Sequence, residues 1–361
     1  MSDRPPRLTL RDIAGLAGVS ETAASFALNG KPGVSAKTRQ RILAVAEEHG
    51  WEPHHAAKVL TGAKSQTVGL VIARSARDVG SESFFMRFMT GLQSVLSKRG
   101  QSLLLQMVDS VEAEIDTYRR WHLANRVDAV ILVDLRVDDP RPDALADLGM
   151  PAVIAGGPDP RGRLPAVTID DREPMRRIIE HLHFTGHESV AYVCGTGEML
   201  HITRRIDAFH GGAREMGLPG HFVMSTDFSA SSAARATRLL LSSGDRPTAL
   251  VYDNEILAVA GLGEIRRLGL AVPADVCVVV WEDTLIASAM EPPLTALGRD
   301  AFAFGSDVAG RLMATLDGTA EGMGDTAESV PELIERSSSR CDRVPLARPS
   351  SGAAGNGTAA R

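Results

Sequence analysis

The chain has 361 residues, 44% hydrophobic and 23% charged, the balance of an ordinary globular protein with room for two or three domains. No apolar run approaches the roughly 18 residues of a membrane span, and the charged, Pro-rich start "MSDRPPRLTLRD" lacks the apolar stretch of a secretory signal, so no membrane partner and a cytoplasmic location are expected. Three cysteines (Cys194, Cys277, Cys341) stand too far apart in sequence for a disulfide framework or a metal-ligand pair, and no cofactor is expected.

The net charge of −6 is unevenly shared. Residues 1–65 carry nine Lys and Arg against six Asp and Glu, while the rest of the chain is acidic. A small basic head on an acidic body suits a protein whose head alone meets a polyanion.

In the head, "LRDIAGLAG" places Ile13, Ala14, Leu16 and Ala17 at helical spacing, with Gly18 as a stop. Ser20 caps a second helix, "SETAASFALNG", whose apolar side is Ala23, Ala24, Ala27 and Leu28. A tight turn between two such helices predicts a helix-turn-helix, whose second helix enters the major groove of DNA. A third helix is predicted in "SAKTRQRILAVAEEHG", from the Ser35 cap to Gly50, with an Ile42, Leu43, Val45 and Ala46 stripe.

The string "LTLRDIAGLAGVSETAASFALNGKPGVSAKTRQRILAVAEEHGWEPHHAAKVLTG" resembles, without a gap, the head of the LacI/GalR family of bacterial transcriptional regulators. The resemblance implies a sequence-specific regulator, a repressor acting as a homodimer or higher oligomer on operator double-stranded DNA, in the bacterial cytoplasm at the nucleoid. Its DNA-facing residues would be Thr9, Leu10, Ser20, Glu21, Thr22, Ser25, Phe26, Asn29, Ser35, Lys37 and Thr38. The recognition helix lacks Arg, Lys and Gln, and its single Asn stands at the end. Glu21 can accept from a cytosine amino group, Thr22 and Ser25 can serve a base or a phosphate, and Phe26 can meet a thymine methyl. Phosphate contacts from Ser35, Lys37 and Thr38 would then carry much of the affinity.

"HHAAKVLTG" resembles the family's hinge, which becomes helical on the operator. That gives Leu60 the role of a minor-groove wedge, Ala57 the hinge–hinge contact and His55 a place near the DNA backbone. The adjacent His54 and His55 have no third ligand nearby in sequence, so metal is not expected there.

From "QTVGLVIA" onward, short apolar runs alternate with amphipathic helices. Strands are predicted at Val68–Ala73, Ser102–Met107, Ala129–Val133, Ala152–Ala155, Ser189–Cys194, Ala249–Tyr252 and Cys277–Trp281. Helices are predicted at Phe85–Arg99, Pro174–Thr185, Arg204–Met216, Ala230–Ser242 and Ile256–Leu268. The alternation predicts parallel sheets covered on both faces, in two Rossmann-like α/β subdomains with a ligand crevice at the strand carboxyl ends. "EHLHFTGHESVAYVCGT", "YDNEILAVAGLGEIRRLGLAVPADVCVVVWEDT" and "PPLTALGRDAFAFG" resemble the family's effector domain, which has a periplasmic-binding-protein-like fold. Three crossings between the subdomains are implied, with "PPLTALGRD" returning to the first.

The expected architecture is thus an all-α helix-turn-helix domain (1–52), a hinge helix and linker (53–65), an effector-binding and dimerisation domain (66–336) and a disordered tail (337–361). By the resemblance, the effector is a small molecule, a sugar or sugar derivative, with a nucleobase or nucleoside as the alternative. Arg205 would hold a hydroxyl pair, Phe228 would stack on a sugar ring, and Asn254 and Glu282 would be polar cleft groups. In "SFF", Ser83, Phe84 and Phe85 fall near the cleft mouth, where a phenylalanine contacts ligand or fills core. Glu282 and Glu255 stand where the family usually has Asp.

No G-x-S-x-G elbow, H-E-x-x-H helix or P-loop is present, so no enzyme is expected. "CGTGE" lacks the spacing of a phosphate-binding turn, and "HLHFTGH" reads as a helix-to-strand junction rather than a metal site.

Overall fold

The computed structural model describes residues 8–51, 64–74, 79–80, 82–319, 324–327 and 330–340. The hinge residues His55, Ala57 and Leu60 lie outside them. The chain divides into two compact units between Ser65 and Gln66.

The first unit holds helices α1 (Leu10–Leu16), α2 (Glu21–Leu28) and α3 (Ala36–Glu48). Each starts on a hydroxyl residue that accepts a bond from an N–H of the first turn: Thr9 from Asp12, Ser20 from Ala23, and Ser35 from Thr38. Removing such a cap costs about 1 kcal/mol, a large share of what a unit this small can gain. Its core is Ile13, Ala14, Ala17, Ala24, Ala27, Ile42 and Ala46. The alanines let the helices approach closely, and Ile13 and Ile42, with no exposed surface, are its large side chains. Gly18 makes the tight turn at φ +64°, a backbone region that disfavours other residues. Trp51 closes the unit by donating its indole N–H to the Leu8 carbonyl at 2.8 Å.

The second unit begins with β1 (Thr67–Ile72), α4 (Ser83–Leu96), β2 (Ser102–Met107), α5 (Val111–Leu123), β3 (Ala129–Leu132), α6 (Arg141–Asp147), β4 (Ala152–Ala155) and β5 (Ala166–Thr168). It continues through α7 (Arg172–Phe184), β6 (Ser189–Cys194), α8 (Leu200–Glu215), β7 (Gly220–Ser225), α9 (Ala230–Leu241), β8 (Ala249–Tyr252), α10 (Glu255–Arg267), β9 (Cys277–Val280), α11 (Leu285–Ala289) and β10 (Thr295–Leu297). Last come α12 (Ala301–Leu316), β11 (Thr326–Ala327) and β12 (Leu333–Ile334).

The described strands form two six-stranded sheets, ordered β11-β5-β4-β3-β1-β2 and β12-β10-β9-β8-β6-β7. Every pairing is parallel except β10 with β12. The inner strands "AVIL", "AVIA", "ALVY" and "CVVV" are buried at every position, as sheets covered on both faces require. Separate cores lie on the two faces of the first sheet, and one large core serves the second.

The chain crosses between the sheets three times: after β5, after β10 and after β11. The middle crossing sets α12 on α4, where Gly91 and Gly305 face the partner helix backbone so tightly that a Cβ on either would overlap it.

Two expectations need correction. "PPLTALGRD" does not as a whole return to the first subdomain: Thr295–Leu297 is an inner strand of the second sheet, with Thr295 opposite Val279. The return starts only after it, because Ala296 and Leu297 are wholly buried there. Nor does the ordered chain stop at residue 336. Ser337–Ser339 forms a 3-10 turn with Ser338 and Ser339 buried, and the Ser338 hydroxyl accepts from Thr295 N–H and donates to the Val278 carbonyl. Strands β5, β7, β10 and β11 are not among those predicted. β7 alone of these has more than three residues, and none of its positions is fully buried at the end of its sheet.

Candidate functional site

In the head, much of the polar chemistry expected to face DNA is already engaged in local structure. Thr9 and Asp12 form a reciprocal capping box, with Thr9 N–H and its hydroxyl each 2.7 Å from Asp12 Oδ2. Ser20 Oγ lies 3.2 Å from Ala23 N, and Ser35 Oγ lies 3.2 Å from Thr38 N and 2.9 Å from Thr38 Oγ1. Asn29 turns back on its own helix, donating to the Ser25 carbonyl at 2.9 Å and to Ser25 Oγ at 3.3 Å. Leu10 is half-buried against the head core.

Phe26 is half-buried, and its ring lies where a Cβ on Gly33 would touch it at 3.1 Å, so it props the α2–α3 loop. Glu21, Thr22 and Lys37 are exposed, with Glu21 Oε1 3.7 Å from Arg11 Nε. The surface therefore offers three helix N-termini, whose orphan N–H groups suit phosphate oxygens, and a short set of side chains for bases.

In the second unit, the carboxyl ends of the strands of both sheets open onto one cleft, and the six residues expected to bind effector all line it: Phe84, Phe85, Arg205, Phe228, Asn254 and Glu282. They are not equally available. Phe85 is 2% exposed and belongs to the core behind the cleft, whereas Phe84 is less buried and stacks on Phe88 with centroids 5.8 Å apart. Phe228 adopts φ +65°, and its ring sits so close to Gly195 that a Cβ there would overlap it. Asn254 caps α10, its Oδ1 2.9 Å from Leu257 N, which leaves its two amide N–H donors and one oxygen lone pair for other partners.

Arg205 is the most heavily determined group. Its Nε lies 2.9 Å from Asp171 Oδ1, its Nη1 lies 2.8 Å from Asp253 Oδ1, and its guanidinium covers the Trp281 ring at 4.1 Å. Asp253 in turn accepts the Tyr192 hydroxyl, and Asp171 also takes Arg204 Nε at 2.8 Å. Clamped in this way, the guanidinium holds Nη2, the nitrogen outside these two bonds, in a fixed direction for a ligand acceptor.

Several residues of the site gave no sequence signal: Arg74, Glu82, Asp134, Asp171, His201, Arg204, Asp253 and Arg299. Arg74 pairs with Glu82 and Asp134 and lies 5.0 Å from the centre of the Phe228 ring. Arg299 lies between Phe84 and Phe304, 4.9 and 4.8 Å from their centroids, and 3.5 Å from Glu282. Glu255 crosses the cleft, its Oε1 accepting the Ser83 N–H at 2.9 Å.

Burial dominates the electrostatics. It pushes the Glu82 carboxyl up to about 7, against the pull of Arg74, and raises Glu282 as well. It also holds His201 well below the usual histidine range, with the neighbouring arginines acting the same way, so that imidazole is neutral.

Two histidines of the second unit are bonded to structural hydroxyls. His181 Nε2 is 2.8 Å from Ser339 Oγ and His187 Nδ1 is 2.9 Å from Thr248 Oγ1. Among the described residues no group of three His, Cys, Asp or Glu could hold a metal ion, and no described helix is long and apolar enough to cross a membrane.

Known proteins carry the same two-part design. Residues 9–54 match the bacterial regulatory proteins of the lacI family, and residues 179–339 match the periplasmic binding protein-like domain. The HTH-type transcriptional regulator AglR of Rhizobium meliloti (strain 1021) is 30% identical over 355 residues, spanning 95% of this chain and 98% of AglR. A transcriptional regulator CelR–cellobiose complex is 28% identical with a TM-score of 0.70, over 92% of this chain and all of the other. The lac repressor dimer bound to operator and the anti-inducer ONPF is 26% identical with a TM-score of 0.79, over 93% of this chain and all of the other. With helix-turn-helix head, two-sheet body and cleft in the same order, the chain belongs to the LacI family: it is a DNA-binding transcriptional regulator and not an enzyme.

Proposed function

We propose that the protein is a repressor that binds a near-palindromic operator as a homodimer, and that a sugar or sugar derivative in the cleft controls its hold on DNA. The observation that carries the ligand half is Arg205, fixed by Asp171 and Asp253 with its face on Trp281 and with Phe84 and Phe228 on the same cleft. A planar donor beside aromatic rings fits an apolar-faced, hydroxyl-bearing ring, and Nη2 is the Arg205 nitrogen outside those two carboxylate bonds. The CelR structure in complex with cellobiose supports a sugar.

The control step is a shift between cleft arrangements. Bonds already span the walls: Ser83 N–H to Glu255 at 2.9 Å, Arg87 to the Asp283 carbonyl at 3.3 Å, and Arg204 to the Gly156 carbonyl at 2.6 Å. A ligand that exchanges these bonds for its own has different affinities for the two arrangements, which is what a population shift requires. The hinge, with Leu60 as a minor-groove wedge, is the element through which that shift reaches the operator.

The test uses the full-length protein. A thermal-shift screen over sugars, polyols and nucleosides is followed by fluorescence anisotropy on an operator duplex selected in vitro. A stabilising sugar that changes operator affinity supports the proposal. Stabilisation by nucleosides alone moves the ligand to that class, and an equal affinity for random duplex removes the operator.

A further inference from the structure

We propose that the ligand carries a positively charged amino group, an amino sugar rather than a neutral one, held between Glu255 and Ser83 at the acidic side of the cleft. This rests on the sugar reading above and narrows its chemistry.

The first observation is an acidic side chain without a cationic partner. Among the described residues the cleft carries six Asp and Glu side chains and four arginines. Its only imidazole, His201, is held neutral by burial and the neighbouring arginines. The arginines have carboxylate partners: Arg74 with Glu82 and Asp134, Arg204 with Asp171, Arg205 with Asp171 and Asp253, and Arg299 with Glu282. Glu255 stands outside all of these ion pairs.

The second observation is independent of charge. Glu255 is 4% exposed; its Oε1 accepts the Ser83 N–H, but its buried Oε2 has no hydrogen-bond partner. The Ser83 hydroxyl, across the cleft, is likewise buried and without a partner. An unsatisfied carboxylate oxygen at that depth is costly, so two such atoms on facing walls mark where a donor is missing.

A hydroxyl of a neutral sugar offers one hydrogen and no charge. An ammonium offers three hydrogens to Glu255 Oε2, Ser83 Oγ and the neighbouring acidic group, and it gives Glu255 the cationic partner it lacks. Glu282 lies close enough that Glu255 helps raise its carboxyl, after burial. A metal ion is a poorer fit, since the described residues contain no ligand set for one.

The experiment is isothermal titration of the full-length protein with matched pairs: glucose and glucosamine, galactose and galactosamine, cellobiose and its β1,4-linked glucosamine counterpart. At least one amine should bind about tenfold or more tightly than its neutral partner, and Glu255→Gln should erase that ratio. Because both sugars of a pair are measured on the same variant, a general loss of stability in Glu255→Gln does not imitate the result. Equal binding within every pair, or a preference that survives Glu255→Gln, overturns the amine while leaving the sugar reading in place. No binding by either member of any pair overturns both.

Discussion

The two units handle polar groups in opposite ways. The head uses its hydroxyls on its own backbone: Thr9, Ser20 and Ser35 cap three helices around a core of alanines, Ile13 and Ile42. The body buries charge instead, clamping Arg205 between Asp171 and Asp253 and leaving Glu255 Oε2 and Ser83 Oγ unmet in the cleft. One unit is held locally and meets its partner with what remains exposed. The other is held by contacts between residues far apart in sequence, and its unmet groups point to its ligand.

The largest effect expected from this contrast is on Arg205→Ala. It strips buried Asp253 of its arginine and Asp171 of one of its two, and should destabilise the body by about 3–5 kcal/mol, read by urea unfolding, with effector response lost. A variant as stable as the native chain would mean the clamp is not a structural element. Next is Ile42→Ala, expected to cost the head about 2–5 kcal/mol and so abolish operator binding, while ligand binding by the body stays normal. If ligand affinity falls with it, the two units do not fold independently.

A third, smaller effect is pH dependence. The Glu82 carboxyl lies at about 7 in the folded chain against 4.5 as an ordinary glutamate, so the folded state holds that proton more tightly. Its contribution is complete below about pH 4.5 and is lost as pH rises through about 7, a change of up to about 3 kcal/mol at roughly 1.4 kcal/mol per pKa unit. Unfolding measured across that window should show the decline, and Glu82→Gln should flatten it. An unchanged slope in the variant would assign the dependence to another group. The smallest is Ser20→Ala, which removes one cap at about 1 kcal/mol and should weaken the head alone. Operator binding that holds at 25 °C but fails at a lower temperature than in the native protein would fit. Unaltered thermal stability of the head would not.

The same contrast decides what could be read before folding. Local signals were legible: Ser20 and Ser35 as caps, Gly18 as a stop, and the seven predicted strands to within a residue, because each depends on neighbours a few positions away. Arg205 and Phe228 came from the resemblance, and both line the cleft. Asp171 and Asp253 did not come at all, since they reach Arg205 across 34 and 48 residues with no spacing rule to announce it. β10 was missed because three residues carry too little pattern, and with it the 3-10 turn at Ser337–Ser339 that packs against it. Phe26 read as exposed because nothing in the helix reveals that Gly33 of the next loop lies against it.

The central claim is that occupancy of the cleft is felt at the operator. The most direct measurement is operator binding by full-length protein, titrated by anisotropy with and without a saturating sugar that raises its thermal stability. Operator affinity should change at least about tenfold, equivalent to roughly 1.4 kcal/mol of coupling, and should not change in Arg205→Ala. A sugar that binds and stabilises the protein yet leaves operator affinity untouched would contradict it.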